Sequence, residues 1–238
     1  MEMLRFGNVS FEVDRALLRD SNGAEVALRP KSLAHLDGGS HRKLTKAKMV
    51  CVLEASIAAA GFEYREVLSA DDCPPGFSII IASDAMLPNE IMPPRLRQKL
   101  LTPFITKLAD TGADEAWEFI RAEYIVEETC RRIMSLYFDQ VLERPDLAQA
   151  CRKTETLDEV KKVCWSVVET VDGNWPGTAS SHAAIACNYA RDGIAGQAIT
   201  EVADALYLAC GRSRKRQEKY FPIAAQILDE AIMLGARA

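Results

Sequence analysis

The sequence predicts a mainly α protein, a helical bundle-like body behind a short N-terminal β-hairpin, and three observations predict it. Apolar residues follow a helical period from Leu44 onward. Small residues dominate 179–209, where Ala183, Ala184, Ala186, Ala190, Ala195, Ala198, Ala203 and Ala205 allow helices to approach closely. The clearest strand signal is confined to the first 28 residues.

Taken in order, short β-type runs flank Asn22-Gly23, a dipeptide that accepts the positive φ of a type I′ turn, so residues 15–19 should pair with 24–28. Val50, Leu53 and Ile57 then share one helix face, and Gly61 suits the position just past its end. Residues 1–40 therefore read as an N-terminal β-hairpin segment and 41–238 as one all-helical domain. Ile79-Ile80-Ile81 fits a buried strand or a buried helix; Asp72 as a cap and Pro74 or Pro75 in a first turn favour helix over 77–82. Pro93-Pro94 opens another helix, which Pro103 must kink or divide. Asp114 begins a long stretch through Val141 with Phe119, Tyr124, Ile125, Ile133, Met134 and Tyr137 as an apolar stripe, closed by Arg144-Pro145. Thr156 and Glu159 match a capping box, DGNWPGTASSH reads as a loop, and Gly193 with Gly196 marks a helix junction. The last helix, 213–234, presents Tyr220, Ile223, Ala224, Ile227, Leu228, Ala231 and Ile232 as one broad buried face.

Composition sets the class. At 238 residues, 48% apolar and 26% charged, the chain belongs with soluble globular proteins. Its N-terminus lacks the pattern of a signal peptide, and no apolar run approaches the roughly 20 residues that span a bilayer. A cytoplasmic protein with no membrane partner is expected. Seven cysteines, at 51, 73, 130, 151, 164, 187 and 210, form no CxxC pair and read as reduced thiols serving as small buried hydrophobes. Net charge is −5, yet residues 1–48 hold nine Lys/Arg against six Asp/Glu, so the front is mildly basic and the body acidic.

Phe6-Gly7, the alternation around Leu17-Leu18, the Asn22-Gly23 turn and Leu28-Arg29-Pro30-Lys31 lie within residues 1–36. This stretch resembles the start of the winged-helix effector domain of response regulators. The resemblance implies DNA binding by a later helix in the major groove, braced by a C-terminal wing. Asp37-Gly38-Gly39-Ser40 interrupts the first helix, so the likeness covers a truncated fragment. RLRQKL at 95–100 echoes the end of that family's recognition helix, but follows two prolines and precedes no wing-forming strands. Further on, Cys73-Pro74, Leu87-Pro88, Leu100-Leu101, Pro103, Leu108-Ala109, Thr111 and residues 121–124 are similar to elements of a group of uncharacterised helical bacterial proteins. The alanine-rich end, 179–234, is similar in texture to helical immunity proteins of bacterial toxin systems. Together the likenesses of 72–234 imply a helical body and bring no active site.

Catalytic and metal-binding patterns are weak. His182 and Cys187 are the one close His/Cys pair, and no second pair completes a tetrahedral set. Glu123 and Glu127 lie one turn apart without the Glu-x-x-His partner of a di-iron bundle, and read as a solvated acidic face. Ser181, His182 and Asp192 supply the residue types of a triad, but neighbouring side chains on a helix diverge by about 100°. Gly38-Gly39 and the glycines at 173 and 177 lack the lysine and strand of a phosphate loop. No catalytic residue, cofactor or metal is expected. The densest charge run holds Arg212, Arg214, Lys215, Arg216 and Lys219 near a helix start, where positive charge opposes the macrodipole. It is the candidate contact for an anionic partner. Two functions follow: a non-enzymatic protein-binding or immunity-like protein, and, as the alternative, a DNA-associated regulator using the N-terminal segment and basic residues.

Overall fold

The computed structural model describes residues 3–6, 9–12, 17–20, 27–28, 49–62, 67, 69–171 and 178–235. It divides into two compact units, Met1–Gly112 and Ala113–Ala238, and is mainly helical. Strands of the N-terminal segment lie on helices that follow it: β1 (Met3–Phe6) on α1 (Val52–Ala59), and β4 (Ala27–Leu28) on α3 (Pro94–Leu101).

In the first unit β1, β2 (Val9–Glu12) and β3 (Leu17–Asp20) form an antiparallel sheet in that order. The register aligns Leu4, Phe11 and Leu18 across the three strands. Phe6 opposite Val9 leaves only Gly7-Asn8 between β1 and β2, another dipeptide of two-residue hairpins. β3 lies on β2, and β4 pairs in parallel with β5 (Met49–Val50); the hairpin expected between 15–19 and 24–28 falls largely outside the described residues. Asn22 and Gly23 themselves lie outside the described residues, as do residues 36–40.

Val50 thus belongs to a strand, and α1 begins two residues later. The buried Glu54 carboxylate accepts the Cys51 N–H at 2.9 Å, taking up a donor that the first turn leaves without a helical partner. Gly61, at φ +84°, follows the helix as expected. Asp72 caps a short 3₁₀ turn, Ala70–Asp72, by accepting the Ser69 N–H at 2.7 Å. The isoleucine run is helical, in α2 (Ile79–Ile91), and its cap is Ser78, whose Oγ accepts the Ile81 N–H at 3.0 Å. Pro88 lies inside α2 and leaves the Asp84 carbonyl without its helical donor. Pro94 occupies the first turn of α3, and Pro103 ends the helix in a 3₁₀ turn, Thr102–Phe104. Gly112 donates to the Gly76 carbonyl at 2.8 Å, so close that a Cβ there would stand 3.0 Å from the Gly76 backbone.

In the second unit Asp114 caps α4 (Glu115–Glu128) by accepting the Trp117 N–H at 3.0 Å. The helix runs through a π turn, Thr129–Met134, into α5 (Ser135–Gln140). Of its predicted stripe, Ile125, Ile133 and Met134 are fully buried, whereas Phe119, Tyr124 and Tyr137 are half-buried. Pro145 opens a further helix, α6 (Pro145–Arg152). Thr156 starts α7 (Leu157–Thr170) by accepting the Glu159 N–H at 3.3 Å; the Glu159 carboxylate reaches back to the Glu155 N–H at 2.7 Å. α8 (Ala179–Arg191) packs on α7 and on α9 (Ala195–Cys210). Ala183, Ala184, Ala186 and Ala190 of α8, with Ala198, Ala203 and Ala205 of α9, are buried; Ala195 lies at the edge. The junction between these helices falls at 192–194, and Gly196 is inside α9. α10 (Arg214–Met233) buries Tyr220, Phe221, Ala225, Ile227, Leu228, Ala231 and Ile232, with Ile223 and Ala224 half-buried. Among the described residues no helix is long and apolar enough to cross a membrane.

Candidate functional site

The basic run occupies the corner between α9 and α10. Ser213 caps α10, its Oγ accepting the Arg216 N–H at 3.4 Å, and this fixes where each cation falls. Two of the five are used internally. Arg216, half-buried, turns back to donate from Nε to the Cys210 carbonyl at 3.0 Å, closing the end of α9. Arg214 pairs with Glu218 at 2.7 Å. Gln217 holds the Gly211 carbonyl at 3.0 Å, so the corner itself is braced. Arg212, Lys215 and Lys219 are exposed, and no carboxylate pairs with them among the described residues. Residues 113–238 carry 15 Lys/Arg against 20 Asp/Glu, and five of those 15 lie within 212–219, so the corner is positive on an acidic unit.

The last turn of α9 brings Tyr207, 54% exposed, and Leu208, 37% exposed, to this corner. The Gly211 N–H donates to the Tyr207 carbonyl at 2.9 Å, which ties that turn to the residue before Arg212. Sequence reasoning treated all of 179–209 as packing and missed both side chains. Their signal was periodicity: Ala198, Ile199, Val202, Ala205, Leu206 and Ala209 trace the buried face, and Tyr207 and Leu208 fall outside it.

Other residues with chemical potential are placed in ways that limit them. Ser181 is buried and serves α8, accepting the Thr178 N–H at 3.0 Å in a reciprocal cap. His182 bonds through Nδ1 to Glu201 at 2.7 Å, and exposed Asp192 pairs with Arg191, so the triad residues are not brought together. Glu123 and Glu127 do share a face. Partial burial, then the neighbouring Glu127, pushes Glu123 above the usual carboxylate range; burial outweighs Arg131 at Glu127. Glu127 is an ion-pair partner of Arg131 at 3.1 Å. Beside the π turn, Glu230 accepts from the Tyr124 hydroxyl at 2.7 Å and pairs with Arg132, joining α10 to α4. Burial, then this bond, pushes Tyr124 up to about 12. An open depression of about 310 Å³ lies at the start of α7, lined by Lys153, Thr154, Glu159 and Lys162. Among the described residues no three His, Cys, Asp or Glu are arranged to hold a metal ion.

The RLRQKL echo is also placed. Arg97 is buried in α3 and donates to the Met92 carbonyl at 2.6 Å, while Arg95 and Lys99 are exposed. Comparison of the chain with protein-family models, with curated proteins and with solved structures finds no match, so the reading of its site rests on the geometry above.

Proposed function

We propose that the chain is a non-enzymatic helical interaction protein, immunity-like in kind, that binds an acidic protein surface through the corner between α9 and α10. The observation that carries this reading is that exposed Arg212, Lys215 and Lys219, with no carboxylate pairing among the described residues, follow within twelve residues of exposed Tyr207 and Leu208 on an otherwise acidic unit. Cations supply attraction and register, and an exposed aromatic beside them supplies contact area at low entropic cost. A phosphate backbone would answer the charges and leave Leu208 without a partner.

The alternative, a DNA-associated regulator built on the N-terminal winged-helix-like segment, has less support. Its basic residues are those of the same 212–219 run, and the RLRQKL echo adds nothing, because burial of Arg97 withdraws the central cation from any groove. The test is fluorescence anisotropy of a labelled acidic amphipathic peptide titrated with the full chain. Replacing Arg212, Lys215 and Lys219 together by Gln should weaken binding about tenfold or more, with the urea midpoint unchanged. Equal affinity in the triple variant would remove the corner from the interaction.

A further inference from the structure

The open depression at the start of α7 is built by two helices and the link between them. Ala150 and Lys153 come from the end of α6, Thr154 from the link, and Glu159, Lys162 and Val163 from one side of α7, where residues three and four apart are neighbours. Its volume of about 310 Å³ lies at the lower end of the range of small-molecule sites. The π turn fixes the link. Thr154, buried, donates from Oγ1 to the Cys151 carbonyl at 2.7 Å, and its own carbonyl accepts from Arg131 Nε at 2.9 Å. Arg131 belongs to the π turn and is held by Glu127 and Glu128, each at 3.1 Å. Turns of this kind recur at functional sites, and here one sets the position of a residue that lines a cavity.

The charged groups of the depression do not satisfy one another. Lys153 and Lys162 come from different elements and are exposed, and no carboxylate pairs with either among the described residues. Glu159, the acid on the same wall, accepts the Glu155 N–H through Oε2 at 2.7 Å, which fixes its carboxylate in place as an acceptor. We infer that this depression binds a small phosphate monoester that also carries hydroxyl groups. The second pKa of such an ester is about 6, so above neutral pH it brings nearly two negative charges to the two ammonium groups.

The lining chemistry sets the selection. Two lysines attract any dianion, but an ionised carboxylate can only accept hydrogen bonds, so Glu159 favours a ligand that brings a hydroxyl and opposes an anion that brings none. Sulfate has the charge without the donor. Ala150 and Val163 offer the carbon skeleton of the ester a small apolar surface. The site shares no residue with the corner between α9 and α10, so it gives the chain a small ligand independently of the partner proposed there.

Isothermal titration calorimetry of the full chain at pH 8 should show glycerol 3-phosphate binding with a Kd of about 1 mM or tighter, inorganic phosphate binding more weakly and sulfate more weakly still. Replacing Lys153 and Lys162 together by Gln should weaken glycerol 3-phosphate binding about tenfold or more and, since both side chains are exposed, leave the urea midpoint unchanged. Each single Gln variant should show part of that loss and serves if the double variant is less stable. Glu159→Gln retains the capping acceptor and should raise sulfate to about the affinity of inorganic phosphate. Lys161→Gln removes a charge from α7 outside the depression and should change the affinity by less than about twofold. Absence of binding at about 10 mM glycerol 3-phosphate, sulfate bound as tightly as the ester, or an equal loss in Lys161→Gln would overturn the inference.

Discussion

Arg216 and Lys215 are adjacent at the start of α10 and do opposite work. Arg216 closes α9 through the Cys210 carbonyl, whereas Lys215 projects into solvent. Arg216→Gln should lower stability by about 1 to 2 kcal/mol in a urea titration, and Lys215→Gln should leave the midpoint within error. The sequence showed five cations in eight residues and could not show this division, because the acceptor of Arg216 is a main-chain oxygen whose position depends on the angle between two helices. Asp84 is a second residue whose surroundings decide its chemistry. Burial pushes its carboxyl up to about 7 from an ordinary value of 3.8. The unfolded chain loses this proton near pH 4 and the folded chain near pH 7, so the contribution to stability is full below about pH 4 and is lost as pH rises to about 7. Asp84→Asn stays neutral throughout. It should flatten that slope and be the more stable protein at pH 8, by at most ~4 kcal/mol, as read from urea midpoints at pH 5 and pH 8.

Elements were legible where their signals are local. Asp114, Thr156 and Ser213 each cap a helix by accepting an N–H three residues ahead, and the residue type alone announces that bond. Pro94 and Pro103 likewise act on their own turns. The start of α1 was misjudged because its cap comes from inside the helix, from Glu54, and no Ser, Thr, Asp or Asn precedes it. The π turn has no sequence signature at all, yet it holds the carbonyl on which Cys151 and Ser135 converge. Gly112 tests the element scale. Gly112→Ala drives a methyl against the Gly76 backbone, which cannot rotate away, so it should cost about 1 to 3 kcal/mol by denaturant titration.

At the scale of the whole molecule, composition was a good guide to the mainly helical architecture. Packing of β1 on α1 and of β4 on α3 places described strands of the N-terminal segment in the unit that ends at Gly112. Residues 113–238, expressed alone, should therefore unfold in one cooperative transition by circular dichroism, whereas deletion of 1–40 should destabilise the first unit. The site was legible in its charge and illegible in its apolar half: Tyr207 and Leu208 lie in a stretch whose small residues all speak for packing. The central claim is that this corner recognises an acidic protein surface. It is tested most directly by measuring the affinity of the full chain for a labelled acidic amphipathic peptide and for duplex DNA across the same salt series. The account predicts peptide binding that weakens moderately with salt and is lost in the Arg212, Lys215 and Lys219 triple Gln variant, with DNA binding weak throughout. Tight DNA binding with a steep logarithmic salt dependence, reduced in the same variant, would contradict it.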